Sequence, residues 1–188
     1  MKKIIPLIFV ALIVVIALIL LILTTIKAPS KISGIQELVL NETDLQQLGM
    51  ARDGDCQTDE TQTTISGLPL PQYGMCNYTI NSLNDTNVTI ELQKFTSIED
   101  LDNTYAYGSN HLYSVQGIIS QNDYGDQSLF RVNNVNDYMG QLDQPGMYYY
   151  HLWICKDLYL IHITSSGRSK EADGYIANMG RRILSKFE

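Results

Sequence analysis

The chain opens with a long apolar segment and then changes to a mixed pattern. Almost every residue from Ile4 to Ile26 is apolar, and lysines flank this run at Lys2, Lys3 and Lys27. A helix rises about 1.5 Å per residue, so a run of this length reaches across a hydrocarbon core about 30 Å thick. The pattern predicts a transmembrane signal-anchor over residues 1–27 that contacts membrane lipid through residues 4–26. A linker over residues 28–34 follows.

A cleaved secretory signal is the alternative interpretation of this segment. Such a signal has an apolar stretch of about 7–15 residues and a small-residue cleavage site. The run here is longer, and the small-x-small candidate, residues 28–30, is followed by Lys31. An uncleaved anchor is therefore favoured, and both interpretations export the rest of the chain. The positive-inside rule favours a cell-membrane location with the C-terminal domain outside.

Residues 35–188 show the periodicities of one α+β domain. Alternation of apolar and polar residues predicts strands, and apolar spacings of three and four predict helices. The pattern predicts a hairpin of 75–83 with 88–95, joined through 84–87, a hairpin of 147–155 with 158–164, and helices over 97–108 and 169–187. Ser97, followed three residues later by an acid, is the predicted N-cap of the first of these helices. We expect an antiparallel sheet with the helices packed on one face.

The second hairpin brings two histidines together. If Lys156 and Asp157 form a two-residue turn, His151 lies opposite His162. Two histidines supply only two metal ligands, and no carboxylate at a matching strand position completes a metal site. No metal and no other cofactor is therefore expected. A three-residue turn would separate the pair.

Aromatic residues accompany these histidines in the same hairpin. Aromatic side chains are enriched in binding surfaces, although they also pack within sheets. Packing within the sheet is the alternative interpretation. The candidate ligand-binding residues are Tyr148, Tyr150, Trp153, His151 and His162.

The three cysteines suit an exported domain. Cys56 and Cys76 flank a polar segment that has few apolar residues of its own. A disulfide between them would close a loop of about 20 residues and stabilise the domain by roughly 3 kcal/mol. Cys155 lies in an apolar strand, where a buried, unreactive thiol is favoured over an intermolecular one.

Acceptor sites for N-linked glycans also suit an exported domain. The Asn-x-Thr pattern begins at Asn41, Asn77, Asn84 and Asn87, and none of the four has Pro at the middle position. Asn and Thr also favour turns and strands, which is the alternative explanation, and modification depends on the host.

The charge of the chain excludes one class of partner. The formal net charge is −7 at pH 7. Phosphate backbones are bound by concentrated basic patches, and an acidic domain also repels anionic headgroups. Nucleic acid is therefore not an expected partner.

The order of the segments is similar to that of a known group of domains. The residues that carry the likeness are Thr89–Phe95, Ser97–Asp100, Gly125–Ser128, the hairpin around Lys156 and the closing helix. This order resembles exported prokaryotic and archaeal domains of the PsbP/Mog1-like kind. The resemblance implies accessory or ligand-binding roles and no shared catalytic centre, and the cysteine-flanked loop departs from it. Only the fold class is carried over.

These observations favour a single-pass membrane protein with a non-enzymatic extracytoplasmic domain. Its partner would be a membrane protein, an envelope component or a small solute. An envelope hydrolase is one alternative, but Gly-x-Ser-x-Gly and His-Glu-x-x-His are absent. A structural subunit of a surface filament is the other alternative, although the apolar run lacks the processing site that such a subunit would be expected to carry.

Overall fold

A computed structural model describes residues 32–59, 64–65, 68–69, 71–110, 115–133 and 146–188. The predicted anchor over residues 1–27 lies outside this part of the chain. Among the described residues, no helix has the length and apolar composition needed to cross a bilayer.

Eight strands of the described residues form one antiparallel sheet. The described strands are Met50–Arg52 (β1), Gln57–Asp59 (β2), Thr64–Ile65 (β3), Leu68–Pro69 (β4), Gln72–Ile80 (β5), Leu83–Lys94 (β6), Val115–Gln121 (β7), Gln127–Asn133 (β8), Tyr148–Lys156 (β9) and Tyr159–Gly167 (β10). The order in the large sheet is β1-β5-β6-β10-β9-β8-β7, and β2 also pairs with β5. The two-residue strands β3 and β4 form a separate pair.

Side chains cap the first turns of two of the α-helices. A 3-10 turn, Ile35–Leu38, precedes α1, Glu42–Leu48; the later helices are α2, Ile98–Asn110, and α3, Ala172–Leu184, followed by a 3-10 turn, Ser185–Phe187. Asn41 and Asp44 form a capping box at the start of α1. The Ser97 hydroxyl accepts from the Asp100 backbone N–H at 3.1 Å, so the predicted N-cap of α2 is confirmed.

The connection through α2 explains the strand order. After β6 the chain passes through α2 to β7, at the far edge of the sheet. Strands β7, β8, β9 and β10 then follow one another back across the sheet until β10 pairs with β6. Two sequence-distant hairpins, β5–β6 and β9–β10, therefore become neighbours at the centre.

Apolar side chains cover parts of both sheet faces. On the face that we call the α3 face, Ile154 and Ile161 pack with Ile176 of α3 in the larger core. On the opposite face, the α2 face, Leu101 of α2 packs with Trp153. Successive strand residues point to opposite faces, so β9 and β10 contribute to both cores. The α+β antiparallel architecture is confirmed, whereas the expectation that the helices share one face is wrong.

The turns of both predicted hairpins differ from the sequence prediction. The first turn lies at Asn81-Ser82, and residues 84–87 belong to β6. The second lies at Asp157-Leu158, with Asp157 at φ 52°, a left-handed conformation that Asp tolerates. The second register is consequently two residues away from the predicted one. A shift of two keeps every side chain on its predicted face, because the strand period is two.

The first described residues are bonded to one end of the sheet. The Tyr159 hydroxyl donates to the Ile32 carbonyl at 3.2 Å, and the Lys94 ammonium donates to the Ser33 carbonyl. Tyr159 and Lys94 are paired neighbours on β10 and β6. The chain therefore enters the described domain at the end of the sheet that carries the β9–β10 turn.

A buried carboxylate joins α1 to α3. The Asp44 side chain is 3% exposed; one oxygen lies 2.6 Å from an Arg182 Nη2, and the other 3.1 Å from Lys186 Nζ. The Asn41 backbone N–H also donates to it at 3.0 Å. Burial would raise the pKa of Asp44, but the hydrogen bonds from Asn41, Arg182 and Lys186 outweigh it and lower the pKa below its ordinary value.

We predict that Asp44→Asn lowers the free energy of unfolding by about 2 kcal/mol at pH 7, because hydrogen bonds to a buried charge are lost. Because the pKa of Asp44 is lower in the folded state than in the unfolded state, the stabilisation is present at pH values above the unfolded pKa of about 3.9. It is lost as the pH falls through the folded pKa. Urea unfolding at pH 7 and pH 3 should show a large difference between wild type and variant only at pH 7. The exposed Asp53→Asn is the control, and an equal difference at both pH values would contradict the prediction.

A second prediction concerns close backbone packing at the end of β10. A Cβ at Gly167 would lie 2.9 Å from the Cα of Thr86, a backbone atom that cannot rotate away. We expect Gly167→Ala to lower the free energy of unfolding by about 2 kcal/mol through overpacking. Gly174→Ala is the matched control, since a Cβ there meets nothing within 4 Å. Equal stability of the two variants in thermal or urea unfolding would argue against this packing.

Candidate functional site

The α2 face of β6, β10 and β9 carries four rows of side chains. The rows near the β9–β10 turn are mainly apolar, and those at the other end of the strands are polar. Paired residues in an antiparallel sheet share a face, so the register gives the rows directly. Beginning at the β9–β10 turn, the rows across β6, β10 and β9 are Gln93-Leu160-Cys155, Glu91-His162-Trp153, Thr89-Thr164-His151 and Asn87-Ser166-Tyr149.

The apolar end of this face is covered by α2. Leu101 and Tyr105 pack with Trp153, Cys155 and Leu160. Burial, with smaller contributions from nearby acidic groups, raises the pKa of the Cys155 thiol to about 12. A neutral, buried thiol is a poor nucleophile, so the expected unreactive Cys155 is confirmed as a free, buried cysteine.

The second and third rows contain a hydrogen-bonded chain of a carboxylate and two imidazoles. Glu91 Oε2 lies 2.8 Å from His162 Nδ1, and His162 Nε2 lies 3.4 Å from His151 Nδ1. The Tyr73 hydroxyl donates to the other Glu91 oxygen at 2.9 Å. Because an ionised carboxylate can only accept, the geometry assigns the proton of His162 to Nδ1 and makes its Nε2 the acceptor for His151.

Trp153 forms a stack with both histidines. Its ring centroid is 4.5 Å from that of His162 and 5.2 Å from that of His151, and both pairs are within 9° of parallel. Burial lowers the pKa of His162; Glu91 raises it in part, and His151 lowers it further. His162 is therefore neutral near pH 7 and adds no positive charge to this part of the face.

The chemistry available to these groups is limited. Both ring nitrogens of His162 are occupied by Glu91 and His151, so His162 does not present a free base to a hydroxyl. Within the described part of the chain, no group of three or more His, Cys, Asp or Glu side chains is arranged to hold a metal ion.

A polar groove of about 180 Å³ opens over the third and fourth rows. It begins beside the aromatic stack, because His151 belongs to both. The groove lies at the end of the sheet opposite Tyr159, where the chain enters the domain. We call it the polar groove, and it is lined by Asn87, Thr89, Tyr149, His151, Thr164, Ser165 and Ser166.

The structure divides the five predicted ligand-binding residues into two groups. His151, His162 and Trp153 lie together on the α2 face. Tyr148 and Tyr150 lie on the α3 face, where their rings are stacked with centroids 6.1 Å apart. The buried Tyr150 donates from its hydroxyl to the Lys170 carbonyl at 3.2 Å. The predicted set is therefore not one surface, and its role in binding stays a prediction.

Sequence reasoning did not select three residues that the structure adds to this region. Tyr149 has the same strand parity as His151 and Trp153, so alternation alone could have placed it with them. Thr164 could have been placed in the same way, because it lies two residues from His162 on β10 and is paired with His151. Glu91 could not, because it joins the histidines only through the pairing of β6 with β10, which the sequence does not specify.

The predicted disulfide is present. Cys56 and Cys76 are bonded, and the bridge ties the segment before β2 to the buried side of β5. The four glycan acceptors, Asn41, Asn77, Asn84 and Asn87, are all exposed. The Thr89 hydroxyl donates a hydrogen bond to Asn77 Oδ1 at 2.8 Å. This bond does not involve the side-chain nitrogen of Asn77, which is the atom to which a glycan would be attached. Glycosylation stays a prediction.

Comparison with known proteins relates the fold to an extracellular domain. No protein-family model and no curated protein matches the chain. The crystal structure of the extracellular domain of PknH from Mycobacterium tuberculosis matches with a TM-score of 0.51 and 9% sequence identity, covering 80% of this chain and 94% of that one. At this identity the likeness shows the fold alone. The resemblance to PsbP/Mog1-like domains stays a prediction, because the matching structure is a different domain.

The hydrogen-bonded chain predicts how His162 titrates. Replacing Glu91 with Gln removes a carboxylate that raises the pKa of His162, so this pKa should fall further below its ordinary value of about 6.5. Since the unfolded state binds the proton more readily, stability should decline as the pH drops below about 6.5, and in Glu91→Gln this decline should continue to a lower pH.

Histidine ring resonances followed by NMR between pH 4 and pH 8 measure this pKa. Glu99→Gln, an exposed change on α2, is the control. An unchanged His162 titration in Glu91→Gln would show that the contact does not form in solution.

Proposed function

We propose that this chain is a single-pass membrane protein whose extracytoplasmic domain binds a solute, an envelope component or a neighbouring membrane protein without catalysis. The observation that carries the proposal is the Cys56–Cys76 disulfide in a domain that follows a long apolar run. Structural disulfides persist in oxidising compartments and are rare in the cytosol. The exposed Asn-x-Thr sites are compatible with the same location.

The fold supports this proposal at a coarser level. The matching structure is an extracellular domain, and it shares the α+β sheet over most of both chains. Within the described domain, the polar groove lies at the end of the sheet opposite Tyr159, whose hydroxyl is bonded to Ile32.

The same residues favour binding over an envelope hydrolase. His162 uses both ring nitrogens within the cluster, and burial keeps the Cys155 thiol neutral. Neither His162 nor Cys155 is therefore in a state that favours nucleophilic catalysis. Ordered polar and aromatic groups at a concave surface are typical of ligand sites.

A topology experiment tests the proposal. The full chain with a C-terminal epitope tag is produced in its host, and intact cells are treated with an external protease. We expect loss of the tag while a cytoplasmic marker remains intact, and non-reducing peptide mapping should join the Cys56 and Cys76 peptides. A tag that is protected until the cells are lysed would overturn the proposal.

The mass of the native assembly separates the two kinds of partner. After extraction in a mild detergent, a different protein in fixed stoichiometry would identify an accessory subunit. Extraction of the chain alone would indicate a solute or envelope ligand.

A further inference from the structure

We infer that the polar groove binds a neutral polyhydroxylated ligand of the size of a sugar unit. This inference rests on the proposed binding function and names the ligand class for one site. It follows from four features of the groove, namely the groups that line it, the charges around it, its aromatic border and its size.

The lining groups are dense in hydroxyls and contain no acid, lysine or arginine. The third and fourth rows place the Thr89, Thr164, Ser166 and Tyr149 side chains on one face, with the Asn87 amide at the corner. A hydroxyl group both donates and accepts, and an amide does the same through two atoms. A ligand that carries several adjacent hydroxyls offers the matching alternation of donors and acceptors.

The surrounding charges disfavour an anionic ligand. The chain carries a formal net charge of −7, so the field around the domain repels anions. Arg131 and Glu91 flank the groove in the third and second rows, so the cation there is matched by an acidic residue, and Glu91 is bonded to His162 and Tyr73. Burial lowers the pKa of His162, so this imidazole supplies no cation for a carboxylate or phosphate near pH 7.

The aromatic border supplies the apolar part of the site. His151 lines the groove and is stacked on Trp153, and Tyr149 lies in the adjacent row. A sugar ring has C–H groups on its faces and hydroxyls at its edge, so aromatic rings beside hydrogen-bonding groups suit both parts of it. Tyr149 is 9% exposed and Trp153 is 3% exposed, so both rings are held in place by packing before a ligand binds.

The size of the groove limits the ligand. Its volume of about 180 Å³ is below the roughly 300–1,000 Å³ of pockets for drug-sized molecules. A single sugar unit, or the end of an oligosaccharide, suits this size better than an extended peptide.

The experiment uses the single tryptophan of the chain as the reporter. The full chain is produced in a host without N-glycosylation, since Asn87 lines the groove, and is placed in lipid nanodiscs so that no sugar-based detergent competes. Trp153 fluorescence is followed during titration with glucose, galactose, mannose and N-acetylglucosamine. Galacturonate, glucose 6-phosphate and choline serve as charged probes of similar or smaller size.

We expect saturable binding of at least one neutral sugar and weaker or no binding of the charged probes. Thr164→Val replaces one hydroxyl in the groove by a methyl group of the same shape and should weaken binding about fivefold, as expected for the loss of one neutral hydrogen bond. The exposed Thr58→Val on β2 is the matched control and should leave binding unchanged. Equal thermal stability of the two variants would confirm that both are folded.

Tighter binding of a charged probe than of the neutral sugars would overturn the ligand class but leave the proposed binding function standing. Saturable sugar binding that Thr164→Val does not weaken would overturn the assignment to this groove. The absence of saturable binding by any neutral sugar would also overturn the inference. The topology experiment is independent of all three results, so a failure of the inference and a failure of the proposed function are distinguishable.

Discussion

The pairing of β10 between β6 and β9 is the constraint on which the rest of the domain depends. It joins two hairpins that are distant in sequence, and its register determines which side chains share each face. Because side chains alternate along a strand, one register builds the α3 core on one face and the Glu91–His162–His151 chain on the other. A slip of one residue would exchange the two faces and bury the polar groups of the groove.

The α2 face consists of two parts along its strands, an apolar part that α2 covers and a polar part that forms the groove. Near the β9–β10 turn, α2 covers an apolar half that includes Trp153 and Cys155. Further along the same strands, the side chains become hydroxyls and amides, and the groove opens. Trp153 and the two histidines lie at the boundary, where the buried rings stack against one another and His162 is hydrogen-bonded to Glu91 and to His151. The boundary therefore places buried, stacked rings directly beside an open polar groove.

On the α3 face, hydrogen bonds and ion pairs connect the N-terminal residues of the described domain with its C-terminal helix. Asp44 connects α1 to Arg182 and Lys186, and Lys186 also donates to the Val39 carbonyl at 2.8 Å. Ile32 is bonded to the sheet through Tyr159. The N-terminal residues of the domain are thus held by its C-terminal helix and its central hairpin, at a distance from the groove. The groove and the first described residues therefore lie at different ends of the sheet.

Local patterns determined much of this architecture. The alternation in β9 and β10 predicted both strands and the face of each side chain, the Ser97 cap predicted the start of α2, and the cysteine spacing predicted the disulfide. Each of these signals depends on neighbouring residues or on a chemically restricted partner. The sequence also predicts an anchor over residues 1–27, which lies outside the described residues.

Only the tertiary structure decided the turn of each hairpin, the face on which α2 packs and the membership of the candidate site. A turn can move by one or two residues without disturbing the local pattern, so the first turn formed at Asn81-Ser82 rather than within residues 84–87. Glu91 and His162 are 71 residues apart and meet only because α2 carries the chain to the far edge of the sheet before it returns. Long-range pairing depends on the burial of whole faces, and no local sequence pattern encodes which distant strand will supply the partner.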